Sequence, residues 1–409
     1  MSSLILCLLT SMFILDLTVS LLNYAQRKLP LPENVKDIYD EESYKKWLSY
    51  TMEKLRLEVI HKTLSVLVML SLLGFGVFGI LERFTLGLVS NTILQTLLFL
   101  GIFLGAQMII DLPFELIDTF KIEAKYGFNK TSVKTFWIDQ VKSLVLGGLL
   151  MGVLVSVIQA LSQVFQDQLF TFIVIVWVVI SVVLLTIFVL NTKVFVRLFN
   201  KLKPIEEGDL KEKINALARK TGFEVKAISS MDASKRSSKL NGFYSGLGKT
   251  GEIVLYDTLI ARLSHEQILA VLAHELGHAS HKDTLKMLVV QIMILGLYAV
   301  GIGFILQTPA FFTAFGLSGI HFGFALLLFT ILMEPLSVLI GIPVNILLRD
   351  AEYKADAFSL RMTSKEDMTQ VMKILVTENF SNLNPHPLAV LIHYSHPPVS
   401  QRLKAIEKA

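Results

Sequence analysis

Apolar residues run in long unbroken stretches separated by short polar segments and interrupted by two longer polar ones. A helix needs about 20 mostly apolar residues to cross a bilayer. Seven stretches meet that length: roughly Leu4–Tyr24, Ile60–Leu81, Leu88–Leu112, Val141–Val164, Leu169–Val196, Leu285–Leu306 and His321–Leu348. The polar remainder is Leu198–Asp283 and Arg349–Ala409. Within its first part, Leu210–Thr221 carries helical periodicity with Asp209 as its cap. Phe223–Ser230 alternates as a strand. Asn241–Gly248 and Glu252–Tyr256 read as two further strands around a turn, Gly248–Gly251. Ser264 and Gln267 form a capping box ahead of an apolar helix. The pattern predicts an α-helical membrane protein with a small α/β polar domain. Its divisions are 1–197 (five membrane helices with their loops), 198–284 (polar), 285–348 (two membrane helices) and 349–409 (polar).

Composition agrees with a membrane protein. Of the 409 residues, 53% are hydrophobic and 18% charged, and the mean hydropathy is +0.59. A soluble domain carries about 25% charged residues. A nucleic-acid-binding domain, a disordered chain and a disulfide-stapled secreted domain are poorly supported. The net charge of +4 matters through its placement. Lysines and arginines crowd the segment between spans one and two (Arg27, Lys28, Lys36, Lys45, Lys46, Lys54, Arg56). They recur in the third loop (Lys121, Lys125, Lys130, Lys134) and after span five, and are scarce in the loops between. This alternation predicts seven spans, an external N-terminus and a cytoplasmic polar domain. The N-terminal stretch has no basic start and carries Asp16, so it reads as a retained span rather than a cleaved signal. The sequons at Asn129 and Asn379 fall on the cytoplasmic side and are expected to be unused.

The helix after Ser264 contains His274-Glu275-Leu-Gly-His278. Histidines four apart share a helix face, so both can reach one Zn²⁺ ion. Glu275 borders that face as a general base that does not ligate. The helix is otherwise apolar, and buried His and Glu need partners, which a metal supplies. A catalytic zinc site needs a third ligand. Cys7 is the single cysteine and lies in the first span. Arg349, Glu352 and Asp356 share a face of another helical stretch. Glu352 is the candidate third ligand. Asp356 is placed to accept the second ring N–H of a ligand histidine, and Arg349 to pair with Asp356 or Glu352. The same spacing also suits a salt-bridged surface helix. His396, followed by Pro397 and Pro398, sits on a stiff loop, and Arg402 begins a short helix. The pair could stabilise an oxyanion, although for this segment alone a proline-stiffened turn with a surface histidine is the commoner case.

Together these segments resemble the integral-membrane zinc CaaX prenyl proteases, the type of the yeast a-factor-converting enzyme. The motifs occur in the family's order: H-E-L-G-H, R-x-x-E-Y-x-A-D, then S-H-P-P-V-x-x-R-L. Ser234–Ser238 followed by Asn241-Gly-Phe-Tyr, Val254–Leu259, and Leu112-Pro113 through Glu123–Lys130 are similar to further family stretches. The resemblance implies seven helices enclosing a water-filled chamber, capped by a zincin-type cytoplasmic domain. It implies one Zn²⁺ held by His274, His278 and Glu352, with Glu275 as general base. It implies that Asn241, His396 and Arg402 contact the substrate or its tetrahedral intermediate. The substrate would be the prenylated carboxyl terminus of a protein, shortened by three residues, its backbone pairing with the strand edge Asn241, Gly242, Phe243 and Tyr244. Lys239-Leu240 and Gly242 depart from the family pattern beside that strand. The expected setting is a monomer in a lipid bilayer, without nucleic acid: the endoplasmic reticulum membrane in a eukaryote, the inner membrane in a bacterium. The alternatives are an HtpX-like quality-control protease, which typically has fewer spans, and a seven-span receptor or transporter, which leaves three metal-site motifs unexplained. Asp111, Glu115, Asp118 and Glu334 lie in or near spans, where ionisable groups face a cavity or one another.

Overall fold

The structure, a computed structural model, describes residues 1–247 and 250–409. Gly248 and Lys249, half of the turn expected between two strands, lie outside the described residues. Among those described, seven helices are long and apolar enough to cross a membrane: Ser2–Lys28, Glu41–Gly74, Thr92–Glu123, Val133–Val164, Leu169–Phe199, Asp283–Leu306 and Phe322–Met362. Several extend beyond the apolar stretch that announces them. The second starts at Glu41, capped by Asp40, and stops at Gly74 rather than continuing to Leu81. Gly76 takes a left-handed turn (φ 64°), which starts the separate helix Val77–Leu88.

Each span packs on the next in chain order, and the seventh returns to the first. A ring of seven helices about 9 Å apart has its axes about 10 Å from the centre, and helices about 10 Å wide then leave an open lumen. Burial agrees with a wall open on both sides: only 6% of the second span's apolar window is buried in the protein. Polar pairs tie neighbouring spans together. Lys62 pairs with Asp16, His61 Nε2 lies 2.7 Å from Asp111, Lys54 binds Asp118 at 2.6 Å, and Gln140 donates to Glu115 at 2.6 Å. Glu334 is exposed. At one end the ring is plugged by Phe78, Phe99, Phe312, Phe315 and Phe324, all buried. Phe324 and Glu352 stand on one helix, so the plug and the polar domain are roughly 40 Å apart.

The polar domain is built on a four-stranded sheet. Its strands are β1 (Leu202–Pro204), β2 (Glu224–Met231), β3 (Gly242–Leu247) and β4 (Thr250–Tyr256), in the order β1-β2-β4-β3. β2 and β4 run parallel, and the outer pairs are antiparallel. β3 therefore lies at an edge. The helix Asp209–Thr221 is capped by Gly208, not by Asp209, whose carboxylate instead pairs with Lys213 and His265.

The helix His265–Ser280 carries the expected capping box of Ser264 and Gln267. It is buried between β3, the helix Asp209–Thr221, the helix Lys365–Asn379 and the far end of the seventh span. That span does not stop at Leu348. It continues through the expected boundary at 349 to Met362, so one rigid element joins the membrane ring to the polar domain. The two helices meet through small residues. A Cβ on Gly277 would stand 3.0 Å from Ala355 Cα and 3.1 Å from Phe358 Cβ. Ser359 Oγ donates to the Ala270 carbonyl at 2.8 Å across the same seam.

Gly277→Ala should therefore cost about 1–3 kcal/mol by overpacking. Gly147→Ala, where a Cβ meets nothing within 4 Å, should be neutral or mildly stabilising. Thermal unfolding of the two variants in detergent separates these outcomes.

Candidate metal centre

The close seam places the side chains of two helices face to face. His274 and His278 come from one and Glu352 from the other. His274 Nε2 and His278 Nε2 are 3.2 Å apart. Glu352 Oε2 is 3.5 Å from His274 Nε2, and Glu352 Oε1 is 3.3 Å from His278 Nε2. Ligand atoms about 2.05 Å from a tetrahedral zinc stand about 3.3 Å from each other. The two histidine nitrogens stand at that spacing, each has one oxygen of Glu352 near it, and one donor atom from each residue lies within 4.8 Å of the others. Their chemistry suits the ion as well: two imidazole nitrogens and a carboxylate that is only 5% exposed. Burying a carboxylate costs free energy unless cations or donors surround it. Among the described residues this is the group of His and acidic side chains able to hold a metal.

Further contacts orient the donors. His274 Nδ1 lies 2.9 Å from Asp356 Oδ1, as its spacing predicts. His278 Nδ1 lies 3.2 Å from Asp283 Oδ2, a partner the motifs do not announce. Asp283 follows a helix break, and no periodic pattern marks it. Arg402 donates from Nε and Nη2 to the two oxygens of Asp356, at 2.8 and 2.5 Å, and its Nη1 is 3.1 Å from Glu352 Oε2. Arg402 thus does what the spacing assigned to Arg349. Arg349 pairs with neither carboxylate. Its Nη1 donates to the carbonyls of Val390 and Tyr394, at 3.0 and 2.6 Å, and holds the chain that leads to His396. The reason is direction: the helix face toward Asp356 is occupied by Arg402, arriving from the helix Val399–Lys408.

Glu275, beside the first ligand, lines a cavity of about 590 Å³ that also contains His274, Glu352, His396 and Arg402. Burial raises its carboxyl pKa above the ordinary value, an effect the neighbouring imidazoles oppose. His396 stands at the cavity mouth, its side chain 67% exposed, with Nδ1 2.8 Å from Glu352 Oε1. Asn241 and Gly242 line the cavity at the start of β3. Phe243 packs on the other sheet face with Met231 and Val254, and Tyr244 stacks edge-on against Phe223. Neither residue is among those lining the cavity. The amide of Asn379 bonds both the N–H and the carbonyl of Leu240, at 3.1 and 3.4 Å. That contact fixes the chain entering β3 and employs the side chain of the second sequon. Opposite β3, Met368, Val371 and Met372 give the cavity an apolar wall.

The chain is similar to known proteins along its whole length. The family model described as CAAX prenyl protease N-terminal, five membrane helices, matches residues 20–201, and that of peptidase family M48 matches residues 204–409. CAAX prenyl protease 1 homolog of Arabidopsis thaliana is 33% identical over 411 residues, covering 97% of this chain and 95% of the relative. CAAX prenyl protease 1 of Saccharomyces cerevisiae is 29% identical over 410 residues, covering 92% and 88%. The crystal structure of S. mikatae Ste24p superposes with a TM-score of 0.93 at 26% identity, over 99% of both chains. With the two-histidine, one-glutamate cluster lying in the matched peptidase half, the chain belongs to the integral-membrane metallopeptidases of family M48, the CAAX prenyl proteases.

Proposed function

We propose that this chain is a zinc endopeptidase that removes the last three residues from prenylated C-a-a-X carboxyl termini. The observation that carries the reading is the cluster of His274, His278 and Glu352, whose donor atoms lie within 4.8 Å of one another, with Glu275 beside it in the same cleft. When bound there, zinc supplies Lewis-acid polarisation of the scissile carbonyl and a water made acidic enough to react near neutral pH.

The protein's own groups do the rest. The free edge of β3 pairs an extended substrate through backbone hydrogen bonds, which orients it without strong side-chain demands. Glu275 takes a proton from the attacking water and returns it to the leaving nitrogen. Its buried setting, which raises the carboxyl pKa, favours the protonated form needed for the second transfer. His396 is the oxyanion donor at the cavity mouth. Arg402 keeps Asp356 and Glu352 ionised and in place, and adds positive potential on the same side. The apolar wall of Met368, Val371 and Met372 suits the aliphatic residues of a C-a-a-X tail. The lysine-rich loops support a metal site on the cytoplasmic face, in the endoplasmic reticulum of a eukaryote or the inner membrane of a bacterium. The ring closes within one chain, so a monomer suffices.

Glu275→Ala should retain zinc and lose about 10²- to 10⁴-fold in cleavage rate, the usual worth of a general base. Near wild-type cleavage in this variant would remove Glu275 from that role. Glu352→Ala should lose zinc while keeping its circular dichroism spectrum, and full zinc occupancy would exclude Glu352 as a ligand. A farnesylated C-a-a-X peptide should be cut faster than its unprenylated form in the same assay. Equal rates would favour a general membrane protease.

A further inference from the structure

We propose that Asp283 is a positioning residue for the metal site, holding the His278 ring so that Nε2 faces His274 and Glu352. The inference rests on the metallopeptidase reading above. Asp283 uses both oxygens: Oδ2 lies 3.2 Å from His278 Nδ1, and Oδ1 accepts from Lys286 Nζ at 3.0 Å. The residue is 8% exposed, so its carboxylate is committed to these partners rather than to solvent.

The local backbone is arranged for this contact. Five residues further along an unbroken helix, a side chain would point about 140° away from His278. The helix instead ends at Ser280, and Lys282 adopts φ 57°, in the left-handed region. A new helix begins there, and Asp283 starts the sixth span beside the imidazole it follows. A lysine in that conformation is uncommon. Among the described residues, only Phe380 is another non-glycine with positive φ. Such strain persists where the surroundings over-determine it, often at functional sites.

The result is a matched arrangement. Asp356 stands behind His274 and Asp283 behind His278, each at the ring nitrogen that faces away from the donor cluster. A carboxylate there keeps the proton on Nδ1. It thereby leaves the Nε2 lone pair for a metal and raises its basicity.

Zinc affinity of the purified full-length protein, measured by competition with a chromophoric chelator, tests the assignment. Asp283→Ala should bind zinc about 10- to 100-fold more weakly than wild type. Asp283→Asn, which keeps an acceptor at the same reach, should recover much of that loss. Asp283→Ser supplies the same comparison if the alanine variant does not fold, because serine suits a helix start but is too short to reach His278. The melting temperature of the zinc-free protein separates a merely structural role, which would lower stability and leave zinc affinity intact. Folded Ala or Ser variants that bind zinc within twofold of wild type would overturn the inference alone. A wild-type protein that binds no zinc would overturn the metallopeptidase reading beneath it.

Discussion

The close approach of two helices at Gly277 and Ala355 is the constraint on which the rest depends. Two donors sit on one helix and the third on the other, so the site exists only at one separation and one rotation. A missing side chain sets the separation, since a Cβ on Gly277 would come within 3.0 Å of the opposing backbone. The bond from Ser359 to the Ala270 carbonyl sets the axial register. Neither residue belongs to the chemistry. Both decide whether His274, His278 and Glu352 form one cluster or three unrelated polar groups.

The electrostatics follow from that packing. Glu352 and Asp356 are almost fully buried side by side on one helix. Two buried carboxylates repel and lack water. Arg402 answers both, and the imidazoles stand within 3.5 Å of the same carboxylates, while Glu352 Oε2 keeps no hydrogen-bond partner of its own. Removing one partner from such a buried set typically costs about 3–5 kcal/mol. The site is thus held together by groups that would be unstable apart. The seventh span ties it to the membrane: the helix that carries Glu352 also carries Phe324 of the distant apolar plug. A ring wall with little internal burial gains rigidity from that shared element and from polar pairs between adjacent spans.

Local signals were legible where the physics is local. Seven apolar stretches predict the seven membrane helices, and Ser264 with Gln267 marks the start of the motif helix. The spacing of four places both histidines on one face, and Asp356 faces His274 as its position implies. Longer-range features were not legible. Hydropathy carries Ile60–Leu81 through Gly74–Gly76, where the backbone breaks, because glycine hardly lowers an apolar average. It ends the seventh span at Leu348, because the helix leaves the apolar stretch without leaving helical geometry. Charge spacing pairs Arg349 with its own helix, whereas Arg402, 46 residues beyond Asp356, takes that place. The parallel pairing of β2 with β4 has no local signature, nor has the contact of Asp283 with His278, which depends on a left-handed lysine.

The most direct test of one zinc held by His274, His278 and Glu352 is the zinc X-ray absorption spectrum of the purified protein, with metal content measured on the same sample. The account predicts one zinc per chain and a four-coordinate shell of nitrogen and oxygen at about 2.0–2.1 Å, with the multiple-scattering signature of two imidazoles. A sulfur ligand, a shell without two imidazoles, or purified active protein free of zinc would contradict it.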